Sequence, residues 1–264
     1  MSGCGSLSSK LHPLQDGDLQ RLAPPSNTAY FFDVDGTLLD IKPRPEDVVA
    51  DDILRDLLVR LMRAADGALA FVSGRRIDDI DRIFKPLTFP IAGLHGMEIR
   101  YPDGSHKRDD NPAIASVRPA ILNFVASHPG LRLEDKGEAL AVHFRQAPEY
   151  SNEVGHFLQN LARESGLSMQ PGKMVAELKS SCHDKAEGIA LLLGTAPFCG
   201  RKPIFFGDDL TDESGFSFVN AQDGHSVRIG DKEEGTQACY HLPDPASLLR
   251  ALRQLMGEPR NGTE

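Results

Sequence analysis

The sequence lacks tryptophan, and it has few aromatic residues of any kind and no long apolar segment. Phenylalanine, tyrosine and tryptophan make up 6% of its 264 residues. No segment approaches the roughly 18 unbroken apolar residues that a membrane-spanning helix needs, and residues 1–18 lack the apolar centre of a secretory signal. We therefore expect a soluble protein of the cytoplasm that has no membrane partner.

Basic residues and regularly spaced cysteines are also scarce. Lysine and arginine number 29 against 38 aspartates and glutamates, which gives a formal net charge of -9. Binding to a nucleic-acid backbone normally requires a basic face, so the composition argues against a nucleic-acid partner. The four cysteines (Cys4, Cys182, Cys199 and Cys239) show no CxxC or other metal-ligand spacing, and we interpret them as reduced thiols.

Apolar runs alternate with amphipathic segments along most of the chain, a pattern typical of βαβ units and a parallel sheet. The pattern is interrupted after Tyr101 and resumes at Asp184. Outside the interruption we predict strands at 29–32, 68–72, 202–206 and 225–229, and helices at 51–65, 76–84, 184–193, from 211 and at 245–255. Within it we predict helices at 113–126 and 151–164, a strand at 139–145, and two short strands around a turn at 170–173.

These elements predict an α/β fold, a Rossmann-like, doubly wound parallel sheet with an inserted α+β cap domain. Because 40% of the residues are hydrophobic, the chain can bury a core of this size. The predicted boundaries are a flexible N-terminal arm at 1–27, a core split into 28–103 and 184–258, a cap at 104–183 and a tail at 259–264.

Three predicted core strands end in small and polar residues: AYFF runs into DVDGT, ALAFV into SGR, and KPIFF into GDDLTDE. In a parallel sheet the carboxyl ends of all strands lie at one edge, where ligands bind. Residues distant in the sequence should therefore meet there: Asp33, Asp35, Thr37, Ser73, Asp208, Asp209 and Asp212.

Such a cluster of carboxylates needs a hard cation. Mg²⁺ prefers oxygen ligands, and we assign it the side chains of Asp33 and Asp208 with the main-chain carbonyl of Asp35. If Asp33 attacks phosphorus, a phosphoaspartate forms and the leaving alkoxide needs a proton. Asp35, two residues further on, can supply that proton and later deprotonate the attacking water. Gly36 would allow the sharp turn between them and Thr37.

The motifs DVDGT, SGR, a lysine that opens a helix (Lys185 in HDKAEGI) and GDDLTDE occur in the order found in haloacid dehalogenase superfamily phosphatases, which the chain resembles. The resemblance implies that Asp33 is the nucleophile and Asp35 the acid and base. It implies a larger cap that closes over small substrates. It also assigns phosphate binding to Thr37, Ser73, Gly74 and Lys185, and metal binding to Asp33, Asp35, Asp208 and Asp212, with Asp212 positioning metal-bound water.

Three further stretches, GLHGMEIR, AVHFR and QPGKMVAELKSSCHDK, are similar to the trehalose-6-phosphate phosphatase family over residues 30–255. This resemblance implies a small-molecule substrate, trehalose 6-phosphate, and sugar binding by Lys173 and Glu177. With so few aromatic residues, recognition would depend on hydrogen bonds from charged groups. Further candidates for substrate binding are His95, Glu98, His143 and Arg145.

Other interpretations stay open at this point. Asp209 and Asp212 could cap the helix near Thr211, Arg75 could be a structural partner of a carboxylate, and Lys173 could be a solvent-facing turn residue. The substrate could be sucrose phosphate, a glycosylglycerol phosphate or a monosaccharide phosphate, and a mutase or a sensor of Mg²⁺ and sugar phosphate without turnover is a further alternative. We expect a monomer.

Overall fold

The protein is described by a computed structural model, which covers residues 11–42, 44–108, 112–137, 139–172, 174–180, 184–231 and 235–258. The chain divides into two compact units, Met1–Lys107 with Asp184–Glu264, and Arg108–His183. We call the first the core unit and the second the insert unit. From the sequence we predicted the core at 28–103 and 184–258 and the cap at 104–183, and these boundaries stay predictions.

The first part of the core unit contains strands β1 (His12–Pro13), β2 (Thr28–Phe32), β3 (Leu69–Val72), β4 (Ile91–Gly93), β5 (Glu98–Arg100) and β6 (His106–Arg108), with helices α1 (Asp18–Leu22), α2 (Asp52–Ala64) and α3 (Ile77–Phe84). The insert follows with α4 (Pro112–Ala126), β7 (Arg132–Asp135), β8 (Ala139–His143), α5 (Ser151–Ser165), β9 (Leu167–Gly172) and β10 (Val175–Ser180). The chain then returns to the core unit with α6 (Lys185–Leu193), β11 (Lys202–Gly207), α7 (Glu213–Ala221), β12 (His225–Ile229), β13 (Tyr240–Leu242) and α8 (Pro245–Leu255).

The core sheet has the strand order β1-β13-β12-β11-β2-β3-β4-β5-β6. The pairs from β1 through to β4 are parallel, whereas β5 runs antiparallel to β4. Strand β2 lies in the middle, between β11 and β3, and all five of its residues are buried. Continuous burial explains its unbroken apolar sequence, since helices cover both faces of such a sheet. Phe32 of β2 stacks on Phe206 of β11 with ring centroids 4.8 Å apart.

The predicted doubly wound sheet is confirmed, and β2 is the point where the strand order reverses. Its neighbours β3 and β11 lie on opposite sides of it, and ligands of such sheets bind beyond the carboxyl ends of the strands at this point. The three strands that carry the predicted motifs are therefore adjacent.

The insert unit is an antiparallel sheet of order β7-β8-β10-β9. Residues that alternate along the strands pack with α4 and α5 into one hydrophobic cluster, for example Leu140, Val142 and Leu178 with Ile121 and Leu158. This arrangement agrees with the predicted α+β insert. The sequence pattern missed β7, whose residues RLED are mostly exposed and carry no apolar alternation.

The described part of the predicted N-terminal arm is ordered, which the sequence did not indicate. Strand β1 pairs with β13, and Leu19 and Ala23 are buried in the core. Leu14 belongs to the same hydrophobic core, and Leu11 and Leu22 pack against it, so several apolar side chains anchor this segment. Residues 1–10 and the predicted tail at 259–264 lie outside the described residues.

Within the described residues, none of the helices combines the length and the hydropathy needed to cross a bilayer.

Candidate active site

Asp33 follows directly on β2 and is 5% exposed. Its backbone N–H donates to the carbonyl of Phe206 at 2.9 Å, which ties this residue to the end of β11. Its Oδ1 lies 3.0 Å from Nζ of Lys185. Burial raises the pKa of Asp33 well above its usual value; Lys185 opposes this shift, and the charges of Asp212 and Asp208 add to it. The site therefore holds a carboxylate in surroundings that do not favour its charge unless a cation is close.

Lys185 is the buried cation of the site. It is the first residue of α6, and the Asp184 side chain caps that helix by accepting the N–H of Glu187 at 3.0 Å. Nζ of Lys185 lies 2.5 Å from Oδ1 of Asp212 and 3.0 Å from Oδ1 of Asp33. Burial alone would lower the pKa of Lys185, but the charges of Asp212 and Asp33 outweigh it and leave the pKa raised. Lys185 is therefore charged in the folded protein.

Asp212 organises the loop after β11. Its Oδ2 accepts the N–H groups of Asp208 and Asp209, both at 2.9 Å, and its side chain is fully buried. Gly207 leaves the space for it, since a Cβ there would lie 2.3 Å from Cγ of Asp212. Asp209 in turn caps the following helical turn by accepting the N–H of Leu210 at 2.5 Å. Both aspartates therefore take the capping role that the sequence left open, and Asp212 also binds Lys185.

Asp208 lies beside the turn that follows Asp33. Oγ1 of Thr37 donates to its Oδ1 at 3.2 Å. Gly36 has a φ of +80°, and a Cβ at this position would lie 2.1 Å from Oδ2 of Asp208. The predicted requirement for glycine at the turn is thus confirmed, with the added reason that a carboxylate occupies the space. Burial and the neighbouring Asp212 raise the pKa of Asp208 to about 6.

Among the described residues, Asp33, Asp208 and Asp212 form a group whose carboxylate oxygens lie within 4.8 Å of one another. An acidic, all-oxygen donor set is the kind that Mg²⁺ prefers, so the residues fit this ion. Both oxygens of Asp212 already accept hydrogen bonds from Lys185 and from the loop backbone. Asp33 and Asp208 are therefore better placed than Asp212 to bind a metal directly, and Asp212 fixes the backbone of Asp208 by accepting its N–H.

Ser73 and Gly74 follow β3 at the same edge of the sheet. Ser73 is buried, and its Oγ accepts the N–H of Arg75 at 3.2 Å. A Cβ on Gly74 would lie 2.8 Å from Nε2 of His95, so the imidazole lies against this glycine. His95 has a φ of +58° and donates its N–H to the carbonyl of Ser73 at 3.0 Å. The structure thus brings His95 to the loop predicted to bind phosphate.

Asp35 forms a bidentate ion pair with Arg75. The two contacts measure 2.5 Å (Nε to Oδ2) and 2.7 Å (Nη2 to Oδ1). The interpretation of Arg75 as the partner of a carboxylate is confirmed. Its partner was not predicted, because Asp35 and Arg75 are 40 positions apart in the sequence and meet only in the fold.

Glu98 is buried and bound within the core unit. Its Oε2 accepts the N–H of Ile77, the first residue of α3, at 3.0 Å. Arg76, at the N-cap position of that helix, provides no side-chain cap, so Glu98 supplies the acceptor from β5. From the sequence we predicted that Glu98 binds substrate, and no sequence pattern indicated this contact with α3.

The remaining predicted residues belong to the insert unit. Glu177 lies on β10, where both carboxylate oxygens are 3.4 Å from Nζ of Lys136. His143, at the end of β8, pairs with Glu134 at 2.8 Å and lowers the pKa of that carboxyl. Arg145 is exposed, and Lys173 lies outside the described residues. Sequence reasoning missed Lys136, since a lysine between a strand and a turn carries no distinguishing motif.

Comparisons with known proteins agree with this geometry. The sequence model of the family described as Trehalose-phosphatase matches residues 31–246. A protein of Escherichia coli (strain K12) named trehalose-6-phosphate phosphatase is 42% identical over 238 residues, which are 88% of this chain and 89% of the relative.

Comparison with solved structures shows the same fold. The crystal structure of a trehalose-6-phosphate phosphatase related protein is 27% identical with a TM-score of 0.70, and the match covers 86% of this chain and 96% of that one. A haloacid dehalogenase-like hydrolase from Bacteroides thetaiotaomicron shares the fold, with a TM-score of 0.66 at 16% identity over 87% of this chain and 99% of its own. The adjoining strand ends, the buried lysine among three aspartates and the match over most of the chain lead to one conclusion: this chain belongs to the trehalose-phosphatase family.

Proposed function

We propose that this chain is a phosphoric monoester hydrolase that converts trehalose 6-phosphate to trehalose and phosphate, with Mg²⁺ as its cofactor and a phosphoaspartate as intermediate. The observation that carries the proposal is the group of Asp33, Asp208 and Asp212 at the carboxyl ends of adjacent strands, in which Asp33 and Asp212 are buried and pair with Lys185. The name of the 42% identical relative supports the choice of substrate.

In the first step, a carboxylate oxygen of Asp33 attacks phosphorus and the bond from phosphorus to the sugar oxygen breaks. Asp35 gives its proton to that oxygen, so trehalose leaves as a neutral alcohol. In the second step, a water attacks the same phosphorus while Asp35 takes a proton from it. The bond to Asp33 then breaks, and phosphate and the free enzyme are released.

The net charge of the site determines what is needed to bind the phosphate. Lys185 contributes one positive charge against three carboxylates, so an anionic substrate meets a site that is negative overall without a further cation. Mg²⁺ bound by Asp33 and Asp208 would supply that charge and polarise a phosphate oxygen. The hydroxyls of Ser73 and Thr37 and the backbone N–H of Gly74 are proposed to donate hydrogen bonds to the phosphate, beside the Lys185 ammonium.

Sugar recognition is proposed for Glu177 and Lys173, with His143, Arg145 and His95 as further candidates. Glu98, also a candidate from the sequence, is buried and accepts the N–H of Ile77, and we propose a structural role for it. Glu177 and Lys136 form a pair of opposite charges in the insert unit, and such a pair can both donate to and accept from sugar hydroxyls. A site built on hydrogen bonds strongly rejects analogues that lack a hydroxyl, because its polar groups are then left unpaired. We also propose a monomeric enzyme in the cytoplasm.

The test is a phosphate-release panel on the purified chain with trehalose 6-phosphate, sucrose 6-phosphate, glucose 6-phosphate and an aryl phosphate, each in MgCl₂ or EDTA. We expect trehalose 6-phosphate to give the highest kcat/KM and EDTA to abolish release. Asp33→Asn should remove all turnover, whereas Asp35→Asn should lose most of it and still bind phosphate. Asp56→Asn, an exposed charge on α2, is the matched control.

Each alternative predicts a different result. Preference for another sugar phosphate would retain the reaction but overturn the substrate. Phosphate binding without release, by a protein that needs Mg²⁺ to bind, would identify the sensor and overturn the hydrolase. Unchanged turnover by Asp33→Asn would remove the proposed nucleophile.

A further inference from the structure

The guanidinium of Arg75 contacts both oxygens of Asp35. Nε lies 2.5 Å from Oδ2 and Nη2 lies 2.7 Å from Oδ1. A fork of this kind fixes the direction of a carboxylate as well as its position, which a single lysine contact does not do. A carboxylate oxygen that accepts one such hydrogen bond keeps a second lone pair, so Asp35 can still exchange a proton.

The backbone of Arg75 is fixed to the loop predicted to bind phosphate. Its N–H donates to Oγ of Ser73 at 3.2 Å, and its carbonyl accepts the N–H of Leu94 at 3.0 Å. A Cβ on Gly93 would lie 2.9 Å from the same carbonyl, so β4 packs closely against this segment. The position of the Asp35 carboxylate is therefore linked, through Arg75, to the position of the Ser73 hydroxyl.

Exposure shows which partner supports the other. The Arg75 side chain is 13% exposed and the Asp35 side chain 31%. The guanidinium thus lies on the protein side of the pair, and part of the carboxylate faces the open side, from which a leaving oxygen or a water must arrive.

We propose that Arg75 is a positioning residue that aims Asp35 for both of its proton transfers. This inference rests on the proposed phosphatase reaction and adds to it a residue that touches neither substrate nor metal. Arg75 acts on the reaction through Asp35, and the bonds formed and broken are those of the two steps above.

The two steps depend differently on Asp35, and this provides a test. An aryl phosphate with a good leaving group needs no proton in the first step, so Asp33 is phosphorylated without help from Asp35. The second step needs Asp35 as base whatever the leaving group was. A sugar phosphate needs Asp35 in both steps.

The experiment compares Arg75→Met and Arg75→Lys with the wild type, using steady-state and rapid-mixing kinetics on trehalose 6-phosphate and p-nitrophenyl phosphate in MgCl₂. We expect both variants to lose about 10- to 100-fold in kcat on trehalose 6-phosphate, within the range of general acid–base catalysis, with KM changed less than about threefold. With p-nitrophenyl phosphate, Arg75→Met should release a burst of about one p-nitrophenolate per site, followed by slow turnover, because phosphoenzyme accumulates. Arg82→Met, which removes an exposed arginine from α3, should match the wild type.

Two outcomes overturn the inference. Unchanged kcat in Arg75→Met would show that Asp35 does not need the fork. A rise in KM for both substrates with no burst would show that Arg75 only maintains the phosphate site. Failure of the proposed function is distinguishable, since the wild type itself would then release no phosphate from either substrate, and the inference would fall with it.

Discussion

Lys185 makes the buried carboxylates of the site compatible with folding. An isolated buried ion is costly, and removing one partner of a buried ion pair typically costs about 3–5 kcal/mol. Lys185 is 2% exposed and contacts two aspartates, so its own charge is well compensated. The three aspartates are not equally compensated, since one positive charge faces three negative ones. Burial, and after it the repulsion from the incompletely compensated Asp212, raise the pKa of Asp208 to about 6.

Glu177 provides a prediction about substrate recognition. If it binds a sugar hydroxyl, Glu177→Gln should raise KM for trehalose 6-phosphate about 10-fold, in line with one lost charged hydrogen bond. KM for p-nitrophenyl phosphate should not change, because that substrate has no sugar. Glu164→Gln, an exposed glutamate at the end of α5, serves as the control. Equal effects on the two substrates would exclude Glu177 from sugar binding.

Helix α3 depends on an acceptor from another strand, and this gives a second prediction. Glu98→Ala leaves the N–H of Ile77 without the carboxylate that accepts it, so we expect a loss of about 1–2 kcal/mol in the free energy of unfolding, as for a lost helix cap. KM for trehalose 6-phosphate should stay within about twofold of the wild type. Urea denaturation and steady-state kinetics measure the two effects.

Glu98→Gln is the matched variant, since its amide oxygen can still accept this hydrogen bond, and it should regain most of the lost stability. A higher KM at unchanged stability in Glu98→Ala would instead support the substrate-binding prediction.

The link between α4 and α5 should depend on pH. His128 Nδ1 bonds the carbonyl of Phe124, near the end of α4, at 2.7 Å, and Nε2 lies 3.0 Å from Glu153 on α5. The hydrogen bond to the Phe124 carbonyl has the largest effect and Glu153 adds to it, and both raise the pKa of His128. A raised pKa means that the protonated ring stabilises the fold. This contribution is complete below the unfolded value, about 6.5, and is lost as pH rises through the higher folded value.

NMR titration of the His128 ring in the whole chain tests this. Glu153→Gln should lower the pKa of His128, and Glu149→Gln, an exposed glutamate before α5, should leave it unchanged. The urea midpoint of the wild type should exceed that of His128→Gln by more at pH 5.5 than at pH 8.5. A difference independent of pH would contradict the proposed protonation.

The sequence predicted most of the longer elements whose residues are buried in a regular pattern, but it did not predict the three-residue strands β4 and β5, which are buried throughout. Helix α2 was expected at 51–65 and occurs at Asp52–Ala64, with the Asp51 side chain accepting the N–H of Leu54 at 2.7 Å. Strand β7 and the short strand β1 were missed because pairing with neighbouring strands, and not local apolar alternation, determines them. Local patterns carry little information on such edge elements.

The site was predictable to the extent that it follows from the sheet. Asp33, Ser73 and Asp208 each follow an apolar run, and parallel pairing brings the ends of such runs together. Arg75 with Asp35, and Glu98 with Ile77, could not be paired from the sequence, since these contacts depend on side-chain reach between loops. The sequence also did not predict that Glu98 is buried, because its burial depends on the pairing of β5 with β4.

The charge of the whole site makes a prediction for the stability of the protein. Ligands that bind only the folded state stabilise it by RT ln(1 + [L]/Kd), or about 2.7 kcal/mol at a concentration of 100 Kd. We therefore expect MgCl₂ to raise the thermal midpoint of the wild type in the absence of substrate. Asp208→Asn removes one proposed ligand but keeps an oxygen that can accept from Thr37, so most of this shift should disappear.

Asp208→Asn should also raise the stability of the protein in EDTA, an effect that a variant with a damaged fold would not show. Asn at 208 relieves the repulsion from Asp212 that contributes to the raised pKa of Asp208, so in EDTA the variant should be more stable than the wild type. Asp56→Asn, on the exposed surface of α2, should show neither effect. Calorimetry of the three proteins with EDTA and with MgCl₂ separates the outcomes. A variant that is less stable in EDTA and keeps the full magnesium shift would mean that Asp208 does not hold the ion.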